Sequence, residues 1–308
     1  MNVPRNHHYI PRFWLRRFSH GGKSKMVWSY DWIADKVEER SVAVLMAKYD
    51  LYTQQTAAGP DVSLETGELA KVDTNGAMLF RRLDDGDRGP ALREELADFF
   101  SVMALRHPAT VVGYPLVAAN FVIKFQEYLN VANSIDDFHS VMDGNGLGNI
   151  EISEDEFNII KNENIHDVDT VFGQIFDSFL ASGGNQDVPF SHVITDPSGR
   201  EDLKNRLLSM EWNLGRSKRP KLVIGDAGVM FQHGDSDLGW KAVLGPDLAM
   251  LITKQKQPIS SMIGDVILEK WQVDNLNMEM VARSERFLVG SSKRIVEKFS
   301  QYMVRNNA

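Results

Sequence analysis

The sequence predicts an α+β fold: a helix-rich N-terminal two-thirds, then a mostly antiparallel sheet formed largely by the C-terminal third. Three observations predict it. Apolar residues recur at helical spacings in the front of the chain. Short β-branched and aromatic runs bounded by glycine and proline crowd the stretch after Met210. The two element types do not alternate as they would in a doubly wound parallel sheet.

The elements follow in order. Lys25 to Tyr30 and Val37 to Leu45 read as two strands around a turn at Asp31–Lys36. Leu69, Val72, Leu79 and Leu83 place a helix between Leu64 and Leu83. Gly89-Pro90 breaks the chain, and Leu92, Leu96, Phe99, Phe100 and Met103 form one broad face of a helix from Ala91 to Leu105, stopped by Pro108. A further apolar helix is expected over Val117 to Leu129, and shorter ones near Ser153 to Lys161, opened by the capping box Ser153-x-x-Glu156, and Val168 to Leu180. Strands then follow at Met210 to Leu214, Lys221 to Ile224, Trp240 to Leu244 and Leu248 to Thr253. Helices around Asn275 to Arg283 and from Lys293 to Met303 end the chain.

Composition narrows the function classes. The 308 residues carry 42 acidic against 34 basic side chains, a net charge of −8, which argues against indiscriminate nucleic-acid binding over the whole surface while leaving a local basic groove open. No cysteine is present, which removes disulfides, thiolate zinc sites and cysteine nucleophiles. The basic start lacks the apolar core and small-residue cleavage site of a secretory signal, and no apolar run reaches membrane-spanning length, so a cytoplasmic protein with no membrane partner is expected. Charge is uneven: the first thirty residues hold bases and no acid, and the balance reverses from Val131 to Leu180. A single domain over residues 1–308 is expected, with residues 131–191 as an acidic helical insertion. No internal repeat is seen.

The most distinctive segment is His8-Tyr9-Ile10-Pro11-Arg12-Phe13-Trp14-Leu15-Arg16-Arg17-Phe18. It resembles the opening of domain-of-unknown-function family 4238, whose members begin with a His-Tyr-x-Pro-x-Phe/Tyr-x-Leu-x-x-Phe run. Further along, Tyr49-Asp50-Leu51-Tyr52 is similar to that family's aromatic-acidic segment. Leu64-Glu65 and Val72-Asp73 resemble its helix bearing two acids, with Asp73 where glutamate is usual. Leu105-Arg106 matches an arginine closing the next helix, and Asn275 an asparagine opening the last helical region. Leu222 to Asp226 resembles a strand ending in Ser-Asp-x-Pro, with Gly225 in place of the serine and Gly228 in place of the proline. The resemblance implies an architecture and supplies no activity.

The chemistry of these residues suggests one. His8 is a candidate general acid/base, Arg106 a candidate phosphate ligand, and Asp226 a group to orient the histidine or bind a metal such as magnesium. Arg12 and Arg16 are candidate substrate contacts. Glu65 and Asp73 lie eight residues apart, about 80° around a helix, so both can lean toward one cleft. Together these suit phosphodiester cleavage, with nucleic acid as partner, as in a nuclease of a bacterial toxin or defence system. The alternative is a non-catalytic binding or structural module, in which the motif is a packing signature. The two differ in what they require of His8: a half-exposed ring in a cleft near Arg106 or Asp226, or a buried ring bonded to backbone.

A second candidate site is a calcium-loop pattern from Asp143 to Glu154. Asp143, Asn145, Asn149, Glu151 and Glu154 supply oxygens and Gly148 the turn, with Leu147 standing where a further ligand is usual. Its alternative is a glycine-rich turn before a capped acidic helix. Phosphate-loop, dinucleotide, nucleophile-elbow and His-Glu-x-x-His patterns are all absent from the chain.

Overall fold

The computed structural model describes residues 5–20, 25–56, 59–108, 128–144, 197–231, 239–254 and 260–306, with residues 154, 157–158 and 161 besides. The chain forms two compact units, one of residues 1–108 with 193–308 and the other of residues 109–192.

In the first unit, β1 (Asn6–His8) and α1 (Arg12–Arg16) precede the hairpin β2 (Met26–Asp31) and β3 (Lys36–Ser41). The short strands β4 (Ala47–Tyr49), β5 (Gln54–Thr56) and β6 (Gly59–Asp61) follow. A π-helical turn at Leu64–Leu69 runs straight into α2 (Ala70–Asp84), and α3 (Pro90–Leu105) comes next. Pro90 sits at the first position of α3, where its missing N–H costs nothing.

In the second unit, α4 (Ile135–Gly144) is described. Ser134 caps it by accepting the Asp137 amide at 3.2 Å, and Asp137 accepts the Asn133 amide at 2.9 Å. Buried Phe138 lies 5.8 Å from the ring of Phe157. Most of the expected helix at Val117 to Leu129, that at Val168 to Leu180, and the capping box of Ser153 lie outside the described residues.

The first unit resumes with α5 (Pro197–Leu208). Then come β7 (Glu211–Ser217), β8 (Val223–Gly225), β9 (Val229–Phe231), β10 (Trp240–Gly245), β11 (Leu248–Thr253) and β12 (Gly264–Leu268). It ends with α6 (Lys270–Arg283), β13 (Phe287–Gly290) and α7 (Lys293–Asn306). One sheet has the order β12-β7-β11-β10-β9, antiparallel except where β12 joins β7. A second, fully antiparallel, has the order β3-β2-β13-β8. The α+β class read from sequence is what the chain adopts. The first sheet comes wholly from the C-terminal third, and the N-terminal hairpin supplies half of the second. Among the described residues no helix is long and apolar enough to cross a membrane.

The N-terminal motif is wedged into the core. Tyr9, Ile10, Trp14, Leu15 and Phe18 are buried, and Trp14 Nε1 donates to the Val243 carbonyl at 2.8 Å, tying α1 to β10. Trp14 stands among Phe80, Phe99 and Phe100, and Phe100 continues to Trp212 of β7. Gly76 lets α2 approach closely, since a Cβ there would overlap the Phe99 ring. Two cations anchor the surround. Arg17 forks onto Asp84 at 2.6 and 2.8 Å, and Arg93 Nη2 donates to the carbonyls of Leu208 and Met210 at 2.9 and 2.6 Å.

Candidate functional site

The same motif carries a polar face. Pro11 restrains the chain between β1 and α1. His8 at the end of the strand and Arg12 at the start of the helix then face a pocket of about 330 Å³, closed by Phe13, Glu65, Ala70, Asp73 and Thr74. Glu65 comes from the π-helical turn and Asp73 from the first turn of α2. The widened turn shifts Glu65 from its α-helical phase, and both acids reach one pocket.

The His8 side chain is almost fully covered, and its Nε2 lies 3.2 Å from the Val42 carbonyl. A carbonyl only accepts, so Nε2 carries the proton and Nδ1 is the bare nitrogen. Arg12, exposed on its outer side, lies against this ring with Nε 3.4 Å from both Nδ1 and Nε2. Burial first, and the Arg12 charge second, push the His8 pKa down to about 4. The imidazole is therefore neutral at pH 7, with one ring nitrogen unprotonated.

Arg106 lies behind the pocket. It ends α3, is 0% exposed, and donates from Nη1 to Asp73 and from Nη2 to the His8 carbonyl. Its Nε has no hydrogen-bond partner. Tyr52 closes the far side: its hydroxyl donates to the Arg106 carbonyl at 2.8 Å, and its amide donates to His7 Nδ1 at 2.9 Å. The rings of His7 and Tyr52 stack at 5.6 Å. Burial raises the pKa of both Glu65 and Asp73, and the Arg106 charge opposes this without cancelling it. Glu65 Oε2 is buried with no hydrogen-bond partner. A buried carboxylate oxygen left bare favours the protonated acid.

Asp226 belongs to a different cluster. Its two oxygens accept the amides of Glu285, Arg286 and Phe287 at 2.9, 2.7 and 3.1 Å, so they are committed to the turn before β13 and not to orienting His8. Burial outweighs these three bonds and lifts its pKa to about 6. The His107 ring bonds to the Asp226 backbone and meets Tyr9 edge-on at 6.0 Å. The neighbouring pairs His8-Tyr9 and Arg106-His107 thus send alternate side chains to opposite sides: His8 and Arg106 to the pocket, Tyr9 and His107 toward Asp226.

The structure therefore brings His8 and Arg12 to one pocket with Glu65 and Asp73, holds Asp226 apart, and buries Arg106 behind the pocket on Asp73 and the His8 carbonyl, where it is not open to a phosphate as expected. Arg16, one turn beyond Arg12, is exposed and does not line the pocket. Of the calcium-loop residues, Asn145, Asn149 and Glu151 lie outside the described residues. Asp143 falls in the last turn of α4, and Glu154 has an exposed side chain. Among the described residues no three His, Asp or Glu side chains gather as a metal-binding group. His7 and Tyr52 are the residues at the site to which the sequence assigned no role there. The aromatic-acidic run at Tyr49 to Tyr52 was their signal.

No curated protein and no solved structure matches the chain. A match to the family described as protein of unknown function (DUF4238) covers residues 6–294, from β1 through the start of α7, and the chain belongs to that family.

Proposed function

We propose that the His8 pocket is the active site of a phosphodiesterase acting on nucleic acid. One observation carries this reading: His8, Glu65 and Asp73 share a single pocket, and their surroundings drive the histidine toward its base form and the carboxyls toward their acid forms. Arg12, held to the ring only by long contacts, turns onto the substrate phosphate and uncovers Nδ1. The phosphate's negative charge then offsets the Arg12 charge, which is second to burial in keeping His8 from accepting a proton. His8 Nδ1 takes the proton of the attacking hydroxyl, and the new P–O bond forms as the bond to the leaving oxygen breaks. Protonated Glu65 delivers its proton to that oxygen. Arg106 is a positioning residue that holds Asp73 and the His8 backbone.

A second reading has its own support. His8 is 3% exposed and bonded to a backbone carbonyl, which is the outcome the packing reading requires of it and not the half-exposed ring of the catalytic one. Glu65→Gln separates the two. It keeps the shape of a side chain whose buried oxygen bonds to nothing, so folding by circular dichroism is retained, while proton donation is lost. Wild type, Glu65→Gln and His8→Ala are incubated with total RNA and plasmid DNA, with magnesium or EDTA. Cleavage by wild type that falls at least a hundredfold in folded Glu65→Gln supports the acid–base site. Intact substrates with every protein refute it and leave the pinning role.

A further inference from the structure

A larger pocket, of about 780 Å³, opens where the loop after β7 meets the beginnings of α6 and α7. Six cations line it: Lys218, Arg219 and Lys221 from the loop, Lys270 from α6, and Arg294 and Lys298 from α7. Among the described residues only two acids face them, and both are engaged. Asp274 accepts Lys298 Nζ at 2.8 Å, and Glu269 is turned back onto its own helix in the capping box of α6. Five cations are left around one cavity with no acidic side chain among the described residues bonded to them, in a chain whose net charge is −8. Like charges gathered without counter-charge cost free energy unless an anion joins them. The loop that presents three of them is itself shaped, since Ser217 Oγ donates to the Arg219 carbonyl at 2.8 Å.

Two exposed aromatic residues, outside the cavity's lining, stand next to its cations along α6 and α7. Trp271 follows Lys270 in the first turn of α6 and is 64% exposed. On α7, Arg294, Lys298 and Tyr302 recur every four residues and so share one face, and Tyr302 is 36% exposed. Phosphate-binding cations beside exposed aromatic faces are what an unpaired nucleic-acid strand requires, because its bases are free to stack. We infer that this groove binds a single nucleic-acid strand, with Lys218, Arg219, Lys221, Lys270 and Arg294 on its phosphates and Trp271 and Tyr302 against its bases. The inference deepens the phosphodiesterase reading by naming the form of the substrate, and it rests on that reading for the fate of the strand though not for its binding.

The test is fluorescence anisotropy of the full chain with labelled DNA and 2′-O-methyl RNA oligonucleotides in EDTA, from low to moderate salt. Wild type is compared with Lys218→Gln/Arg219→Gln/Lys221→Gln, with Trp271→Ala and with Lys48→Gln, an exposed lysine outside the groove. The triple variant is expected to bind at least tenfold more weakly, with the salt slope shallower by about 2 for three lost phosphate contacts. Trp271→Ala is expected to weaken binding about tenfold with the slope unchanged, and Lys48→Gln to bind as wild type. All three substitutions of the triple variant fall on exposed side chains, so their folding is not at issue. Equal affinity in wild type and both groove variants overturns the inference. So does displacement of the oligonucleotide by millimolar inorganic phosphate together with equal affinity for duplex, which marks a small-anion site. Binding lost in the groove variants while no substrate is cleaved by any protein refutes the active-site reading alone. Cleavage with binding indifferent to the groove variants refutes the groove alone.

Discussion

Arg106→Met tests whether the buried arginine is the keystone of the pocket. The guanidinium is 0% exposed and donates to Asp73 and to the His8 carbonyl, with Glu65 also in its field. Methionine fills much of the same space without charge. It leaves a carboxyl and a carbonyl without their donor, so the expected loss of stability is about 3–5 kcal/mol, a large part of a typical domain's ~5–15 kcal/mol. The sharper signature lies in the second substitution. Asp73→Asn should destabilise wild type, where the carboxylate answers a buried cation, and should stabilise Arg106→Met, where it answers none. The pH dependence follows with a definite sign. Burial already raises Asp73 and Glu65 above the ordinary carboxyl range, and losing the arginine raises them further. A raised carboxyl stabilises the fold below its unfolded pKa, and that stability is lost as pH rises through the folded value. The deficit of Arg106→Met should therefore be larger at pH 7.5 than at pH 5. Urea denaturation of the four proteins at both pH values measures it. A loss under about 1 kcal/mol for Arg106→Met, or Asp73→Asn acting with the same sign in both backgrounds, refutes the reasoning.

His8→Gln should flatten acid denaturation. The folded ring titrates near 4 against 6.5 when unfolded, so wild type loses on the order of 3 kcal/mol as pH falls from about 6.5 to about 4, and the variant does not; urea midpoints that fall in parallel across this window would sink the idea. Asp226→Ala strips three amides of their acceptor and should cost roughly 3 kcal/mol at pH 5. Because burial raises Asp226 to about 6, its stabilising contribution declines as pH passes that value, and the gap to wild type should narrow by pH 8. Gly228→Ala should lower the thermal midpoint. Gly228 has φ +61° and an added Cβ would overlap Ile10 Cδ1, a combined cost of roughly 2 kcal/mol or more. Gly67→Ala, in a helical turn where an added Cβ meets nothing, is the control and should hold or raise the midpoint.

Elements with strong periodicity were legible in the sequence. Leu248–Thr253 stands as read, and Pro90–Leu105 and Lys293–Asn306 differ only at their ends. The elements that escaped are those whose pattern is made by partners far along the chain. Gly264–Leu268 alternates in burial but not in residue type, because apolar Ile267 stands on its solvent face, and Phe287–Gly290 is four residues buried on both sides, too short to show a period. β1 is a strand because it pairs with β4, some forty residues on, which no local window reveals. The site divides in the same way. His8, Arg12 and Arg106 stood out by residue type. That Glu65 and Asp73 join them depends on a π-helical turn, and that Asp226 does not join them depends on three amides contributed by the turn before β13.

The pocket also bears on what the N-terminal motif is for. Pinning a chain start to a core needs only the apolar half of the motif, and Trp14, Leu15 and Phe18 at full burial already supply it. A fold that needed nothing more would be at least as stable with apolar residues in place of Arg106, Asp73 and Glu65, because the desolvation of buried ions generally offsets their attraction. Here the desolvation is severe. Arg106 keeps a bare Nε, Glu65 a bare Oε2, and burial dominates the pKa of His8, Glu65 and Asp73 alike. The cluster faces a cavity and so could accept a ligand, whereas Asp226, buried more deeply than Glu65 or Asp73, has satisfied oxygens and a plain structural task. Two buried acids of one chain are thus distinguished by whether their oxygens are answered from within. Glu65→Leu puts the distinction to the test: a protein as stable as wild type or more so in urea, yet without cleavage of any substrate wild type cuts, is the result expected of a group retained for chemistry. A Glu65→Leu protein less stable than wild type by 2 kcal/mol or more would assign the acid to the fold.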